Sequence, residues 1–121
     1  MRLKLRSAGI RTAARFLEEA QSAKGRLALA EKTEIDPKVL LHWANLIDRM
    51  RVKGIGQDYA ELLEVVGVVT VNQLKYRSPA NLAKAMKKAN DQRKLVNVLP
   101  SALMVGRWIE NARKLPLKIS Y

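Results

Sequence analysis

The chain has 121 residues, a length suited to one small domain, and 48% of them are apolar, which is enough for a core and too many for a disordered chain. It contains no cysteine, which excludes a disulfide scaffold, a thiolate zinc site and a cysteine nucleophile, and fits a reducing cytoplasm. The formal net charge of +12 favours a polyanionic partner such as nucleic acid, an acidic protein or, less directly, an anionic membrane surface.

The charge is unevenly distributed along the chain. Residues 1–33 carry eight basic and three acidic side chains, residues 34–71 carry four and six, and residues 72–121 carry eleven and two. The positive charge therefore lies toward both ends and flanks an acidic middle. No apolar run approaches the roughly 20 residues that a membrane helix needs, so no membrane span is predicted.

Only helical periodicity is found along the chain. Apolar residues recur at helical spacing around Trp43 and again around Trp108, and both indoles are predicted to lie in the core. Thr12, Asp36, Ser78 and Ser101 are expected to cap helices. No segment alternates over strand length, so the fold class is all-α, built from short helices. In chain order, helices are predicted over 12–22, 25–32, 37–50, 57–66, 70–76, 79–89, 91–97 and 101–114.

Two similar segments suggest an internal repeat. "LRSAGIRT" begins at Leu5 and "LEVVGVVT" begins at Leu63, and both fit the pattern L-x-x-x-G-[IV]-x-T. In each, leucine closes a helix, glycine takes a left-handed position, and threonine caps the next helix. We therefore predict a single all-helical domain over 1–121, with repeat units of about 5–50 and 63–115 joined by the 51–56 hairpin.

The hairpin "MRVKGIGQDYAELL" has a recognisable pattern. Its apolar residues can enter the core, its glycines allow backbone angles closed to other residues, and free N–H groups at the start of the next helix can hold an anion. The segment resembles the helix-hairpin-helix motif, apolar-x-G-I-G-x-x-x-A-x-x-[IL]. Those places are filled by Val52, Gly54, Ile55, Gly56, Ala60 and Leu63.

The resemblance implies a compact fold of tandem helix-hairpin-helix-like (SAM-like) units. It also implies that hairpin amides hold a nucleic-acid phosphate without reading base sequence. Most of the chain is similar to the domain of unknown function 4332 family, through "RMRVKGIGQDYAELLEVVGVVTVNQL", "KLVNVLPS" and "RWIENARKL".

The helix after the hairpin departs from DNA-binding members of the motif family, because it carries Asp58, Glu61 and Glu64 instead of basic residues. These acids compete with a phosphate for the positive end of the helix dipole. Two interpretations of the glycine pair therefore stay open: a structural turn and a phosphate contact.

Basic residues supply the rest of the candidate site. Lys84, Lys87 and Lys88 lie on one helical face, which is either a solvated surface or a polyanion site. The residues predicted to bind nucleic acid are Arg11, Arg15, Arg51, Lys53, Gly54, Gly56, Lys84, Lys87, Lys88, Arg93 and Lys94.

Catalytic chemistry is not indicated. No Ser/His/Asp set, Walker loop or metal-ligand cluster can be recognised, and His42 is the only histidine. We expect no catalytic site, metal, cofactor or small-molecule substrate. The predicted function is a non-enzymatic cytoplasmic module that binds DNA or RNA through phosphates with little sequence specificity. The alternative is a protein-interaction or scaffold module that docks on an acidic partner.

Overall fold

The chain folds into eight α-helices within residues 2–121, which are the residues that the computed structural model describes. None of those residues forms a β-strand, so the all-α prediction is confirmed. The helices are α1 (Arg2–Ser7), α2 (Ala13–Ala20), α3 (Ala23–Thr33), α4 (Pro37–Met50), α5 (Gln57–Val65), α6 (Val71–Lys75), α7 (Pro79–Arg93) and α8 (Ala102–Arg113).

Polar caps define most of the helix starts. The hydroxyls of Thr12, Thr70 and Ser101 each accept a hydrogen bond from the backbone N–H three residues later, at 3.0–3.1 Å. The carboxylate of Asp36 accepts one from the amide two residues later at 2.8 Å. These four predicted caps are confirmed. Ser78 precedes α7 without a side-chain hydrogen bond, so this predicted cap does not form one, although a proline occupies the first turn of the helix.

The two predicted glycine turns have the same geometry. Gly9 and Gly67 adopt φ values of +86° and +88°, the left-handed region that glycine enters without strain. The apolar residue after each glycine is buried, and its amide donates to the carbonyl of the leucine that opens the pattern. The paired bonds are Ile10 N–H to Leu5 O at 2.9 Å and Val68 N–H to Leu63 O at 2.8 Å. Both helix ends are therefore Schellman motifs, as the local pattern predicts.

The segment after α7 differs from the sequence prediction. A helix was expected over 91–97, but α7 continues to Arg93 and ends at Lys94, which has a left-handed φ of +51°. The side chain of Asn90 then accepts from the amide of Val96 at 3.0 Å and donates to its carbonyl at 3.1 Å. These two bonds satisfy the backbone of Val96 outside a helix and hold the segment in an irregular conformation.

The described chain divides into two units. Unit 1 comprises the described residues through Asp48 together with Lys118–Tyr121, and unit 2 comprises Arg49–Leu117. The boundary falls inside α4. The repeat of about 5–50 and 63–115 stays a prediction.

Unit 1 has its own apolar core, in which α3 packs against α1 and α2. Trp43 packs against this core and is partly buried, with its ring centroid 6.2 Å from that of Phe16. The buried members of the cluster are Ile10, Phe16, Leu17, Ala20, Leu29, Ile35, Leu40 and Ala44.

A buried arginine holds residues 118–121 in unit 1. Arg26 is 5% exposed, and its guanidinium donates to the carbonyls of Ala20 at 2.9 Å and Ser120 at 2.7 Å. The amide of Ser120 donates to the carbonyl of Gln21 at 2.8 Å, and the side chain of Ile119 packs against the core. Hydrogen bonds to Arg26 and to the carbonyl of Gln21 therefore attach this irregular segment to the helices of unit 1.

Tyr121 completes this attachment and makes it dependent on pH. Its hydroxyl donates to the amide oxygen of Asn45 at 2.9 Å. Partial burial of a side chain that stays 68% exposed raises the pKa of Tyr121, and the carboxylate of Asp48 acts in the same direction. The Asn45 hydrogen bond and the charge of Arg26 lower the pKa but do not outweigh these two effects.

Because the folded-state pKa of Tyr121 is raised, this residue's contribution to stability is complete below the unfolded value near 10 and is lost as pH rises through the folded pKa. We expect wild-type unit 1 to lose more stability above that pH than a Tyr121→Phe variant does. Urea unfolding at a series of alkaline pH values measures the difference. Parallel pH profiles for the two proteins would contradict the prediction.

Unit 2 forms a second core, in which α8 packs against α6 and α7 while α5 packs against α7. Trp108 is 2% exposed, which confirms its predicted core position. The buried apolar side chains of this unit are Val52, Ile55, Ala60, Leu62, Leu63, Val68, Val71, Leu74, Leu82, Met86, Val96, Val105, Trp108, Ile109 and Ala112.

Candidate phosphate-binding hairpin

Residues 51–56 form the hairpin between α4 and α5. Val52 and Ile55 are 1% and 4% exposed, while Gly54 and Gly56 lie on the surface. The amide of Ile55 donates to the carbonyl of Val52 at 3.1 Å and closes the turn. The predicted insertion of the two apolar residues into the core is therefore confirmed, and it presents the glycines outward.

Gly54 is required by the geometry of the turn. Its φ is +96°, and a Cβ placed there would lie 2.9 Å from Nε1 and 3.3 Å from Cδ1 of Trp108. Both the backbone angle and the indole exclude a larger residue. The structural interpretation therefore explains Gly54 without a ligand.

Gly56 is not required in the same way. It is the N-cap of α5 with φ of −87° and ψ of −176°, an ordinary extended conformation. A Cβ at this position would meet nothing within 4 Å, and no side chain caps the helix. Neither the backbone angles nor the packing at this position requires glycine, although glycine is among the residues that N-cap positions favour.

Two grooves border the hairpin and share Gly54. The first, of about 380 Å³, passes the start of α5 and is lined by Gly54, Gly56, Gln57, Asp58, Tyr59, Val96, Asn97 and Val98. The second, of about 400 Å³, lies against α8 and is lined by Lys53, Gly54, Met104, Arg107, Trp108, Glu110 and Asn111. The side chain of Asn111 donates to the carbonyl of Lys53 at 3.4 Å and links the hairpin to α8.

The acids of α5 have different surroundings. Glu64 forms a 3.4 Å ion pair with Arg49, and Glu61 accepts a hydrogen bond from Gln57 at 3.1 Å. Asp58 is exposed in the first turn, where it lines the first groove. The carboxylate closest to the helix start is therefore that of Asp58, while part of the charge of Glu64 is offset inside the fold.

Arg49 is a structural residue that the sequence patterns do not reveal. It is 1% exposed, and it donates to the carbonyl of Ala60 at 3.0 Å and to that of Val69 at 2.7 Å. Met50, the last residue of α4, is apolar but 40% exposed. The last turn of α4 thus buries a cation, because backbone carbonyls of unit 2 need a donor there.

The structure separates the predicted cations into several surroundings. Arg11 and Arg15 lie in unit 1, where Arg15 is 3.8 Å from Glu19. Arg51 is partly buried and donates to the carbonyl of Pro116 at 3.1 Å. Lys53 lines the groove against α8, and the remaining predicted cations are exposed on or just after α7: Lys84, Lys87, Lys88, Arg93 and Lys94.

None of those α7 cations lines either hairpin groove. The cation that joins Lys53 in the second groove is Arg107, an exposed residue of α8. Sequence reasoning did not select Arg107, because it lies more than 50 residues from the hairpin and in no basic cluster. The observed groove therefore differs from the predicted site. It contains Lys53 and Arg107, whereas the α7 lysines are exposed on unit 2 and do not line it.

Within residues 2–121, no group of three or more histidine, aspartate or glutamate side chains could hold a metal ion. No helix in the same range is long and apolar enough to cross a membrane.

Comparison with known families gives a match over most of the chain. The model of a domain of unknown function (DUF4332) matches residues 1–115. The chain belongs to the DUF4332 family. The match includes residues of both units of this DUF4332 chain and ends in the segment after α8. Searches of curated proteins and of solved structures each found no significant match.

Proposed function

We propose that the chain is a small non-enzymatic module of tandem helix-hairpin-helix-type (SAM-like) units that binds DNA or RNA through phosphates, with little dependence on base sequence. The observation that carries the proposal is Gly56. Its backbone angles and open surroundings suit any residue, yet glycine leaves the first amides of α5 uncovered. Uncapped amides at a helix start are suited to binding an anion.

The hairpin alone is a weak phosphate site because Asp58 lies in the first turn of α5. Its negative charge opposes an approaching phosphate at the positive end of the helix dipole. We therefore assign the hairpin a positioning role and assign most of the affinity to basic side chains.

The α7 lysines are suited to supply that affinity. Lys84, Lys87 and Lys88 are exposed, and none of them forms an ion pair with a described carboxylate. Unpaired cations on one helical face release counterions when they meet a phosphate backbone. Such contacts are independent of base identity, which is why we expect little sequence preference.

Binding of a short duplex and a matched single strand should be steeply salt-dependent between about 50 and 200 mM salt. Replacing Lys84, Lys87 and Lys88 together with glutamine should reduce the slope of log K against log salt by about two to three. The control replaces Lys24, Lys32 and Lys38 together with glutamine. These lysines are exposed in unit 1, and their replacement removes the same amount of charge. Fluorescence anisotropy with labelled oligonucleotides measures both slopes.

Two variants, one in the hairpin and one in the first turn of α5, measure the contribution of the hairpin to binding separately from that of the lysines. Gly56→Val adds bulk where a Cβ meets nothing, so it should preserve the fold and weaken binding several-fold by blocking the amides. Asp58→Asn removes the opposing charge and should strengthen binding at low salt. The proposal fails if no nucleic acid is retained at about 50 mM salt, where electrostatic binding is strong. It also fails if both lysine triples change the slope equally.

A protein-interaction module is the second candidate, and a specific feature favours it. Val98 and Leu103 are 67% and 68% exposed in unit 2, and Val98 lines the first groove. Exposed apolar side chains in a unit that also carries unpaired cations fit an acidic partner with apolar anchors. Capture of a partner that persists after nuclease treatment, without oligonucleotide binding, would favour this candidate over the first.

A further inference from the structure

The indole N–H of Trp108 has no acceptor among the described residues, although Trp108 is only 2% exposed. Buried tryptophan N–H groups normally find a hydrogen-bond partner. No fully buried side-chain nitrogen or oxygen in the described chain lacks a partner, so this nitrogen reaches the groove that Trp108 lines. It is a donor directed from the core toward the groove.

Gly54 keeps this donor uncovered. A Cβ at position 54 would lie 2.9 Å from Nε1 of Trp108, where it would occupy the place of an acceptor. The glycine that the turn requires for its backbone angle therefore also leaves the N–H open to a ligand.

Two cations line the same groove. Lys53 comes from the hairpin and Arg107 from α8, both are exposed, and neither forms an ion pair with a described residue. Glu110 also lines the groove, so one carboxylate accompanies two cations and the indole donor. The net positive charge and the excess of donors favour an oxyanion over a cation.

We propose that this groove binds a phosphate group, with the Trp108 N–H donating to one oxygen while Lys53 and Arg107 neutralise the others. A guanidinium and an ammonium together suit a group that presents several charged oxygens. The source of the phosphate is either a nucleic-acid backbone or a free phosphate, and only the first source rests on the proposed function. The uncapped start of α5 lies in the other groove and is not part of this site.

The two tryptophans make the site directly observable. In a ¹H–¹⁵N spectrum of the full chain, the two indole signals are assigned with a Trp43→Phe variant, since Trp43 lies in unit 1. Inorganic phosphate, added at constant ionic strength against chloride, should move the Trp108 signal to saturation and leave the Trp43 signal in place. We expect a dissociation constant of about 1 mM.

Variants test the cations. Lys53→Gln and Arg107→Gln should each weaken phosphate binding about tenfold. Lys114→Gln is the matched control, because it removes one exposed charge of unit 2 outside the groove and should leave the affinity unchanged. A Trp108 signal that does not respond to phosphate overturns the proposal, as does a response that is equal in all three variants.

The same titration with a short oligonucleotide distinguishes this site from the proposed function. If neither inorganic phosphate nor a bound oligonucleotide moves the Trp108 signal, and the Lys53 and Arg107 variants bind the oligonucleotide as the wild type does, the groove is not a phosphate site and the nucleic-acid function stands. If phosphate moves the signal while no oligonucleotide binds, the groove stands, its ligand is a free phosphate, and the nucleic-acid function is wrong.

Discussion

Replacing Arg49 with methionine is expected to lower the free energy of unfolding of unit 2 by about 3–5 kcal/mol. Methionine fills much of the space of the arginine stem, so the cost comes from hydrogen bonds and not from a cavity. The carbonyls of Ala60 and Val69, which accept from Arg49 at 3.0 and 2.7 Å, would lose this donor. Each unsatisfied buried group costs about 1–3 kcal/mol.

Glu64→Gln is the matched control for this prediction. Glu64 forms the ion pair with Arg49 at 3.4 Å, but its side chain is 35% exposed and water screens its charge. We therefore expect that variant to cost no more than about 1 kcal/mol. Urea unfolding followed through the Trp108 indole signal reports unit 2 alone. If the two substitutions cost the same, the ion pair and not the pair of carbonyls is what stabilises this end of α4.

Helix positions, caps and glycine turns could be predicted because they depend on a few adjacent residues. Thr12 and Ser101 cap because each supplies an oxygen three residues before a free amide. Gly67 turns because the next valine packs back on the same helix end. The error at 91–97 has a local cause as well, since Asn90 bonds both backbone groups of Val96 and competes with a further helical turn.

Buried cations could not be predicted, because their acceptors are distant in sequence. Arg26 bonds a carbonyl 94 residues away, and Arg49 bonds one 20 residues away. A basic residue on an otherwise apolar helix face is ordinarily read as exposed. Only the folded chain shows that these two guanidiniums satisfy carbonyls that helices and turns leave free.

The candidate site likewise combines features that could be predicted from local sequence with features that could not. Gly54 and Gly56 look equivalent in the sequence, yet the turn and Trp108 require glycine at position 54, whereas the fold does not require it at position 56. Arg107 enters the site because α8 lies beside the hairpin, a placement that no local pattern contains. The basic cluster of α7, which the sequence made prominent, does not line the hairpin grooves and contributes a separate surface.

Gly25→Ala should destabilise unit 1 by about 2–3 kcal/mol, although the usual expectation has the opposite sign. Alanine in place of glycine within a helix normally stabilises it by about 0.5–1 kcal/mol. At Gly25, however, a Cβ would fall well inside the contact distance of the backbone carbonyl oxygen of Glu19. A backbone atom cannot rotate away, so α2 and α3 must separate.

Gly106→Ala is the matched substitution in α8, where the nearest atom to a Cβ would be Cγ of Pro79 at 3.7 Å, an ordinary contact. We expect it to stabilise unit 2 by about 0.5–1 kcal/mol. One urea titration of each variant, followed through the Trp43 indole for unit 1 and the Trp108 indole for unit 2, measures both effects. If Gly25→Ala stabilised unit 1 as Gly106→Ala stabilises unit 2, the inferred close contact between α3 and the end of α2 would be wrong. Only that contact makes the substitution at Gly25 destabilising.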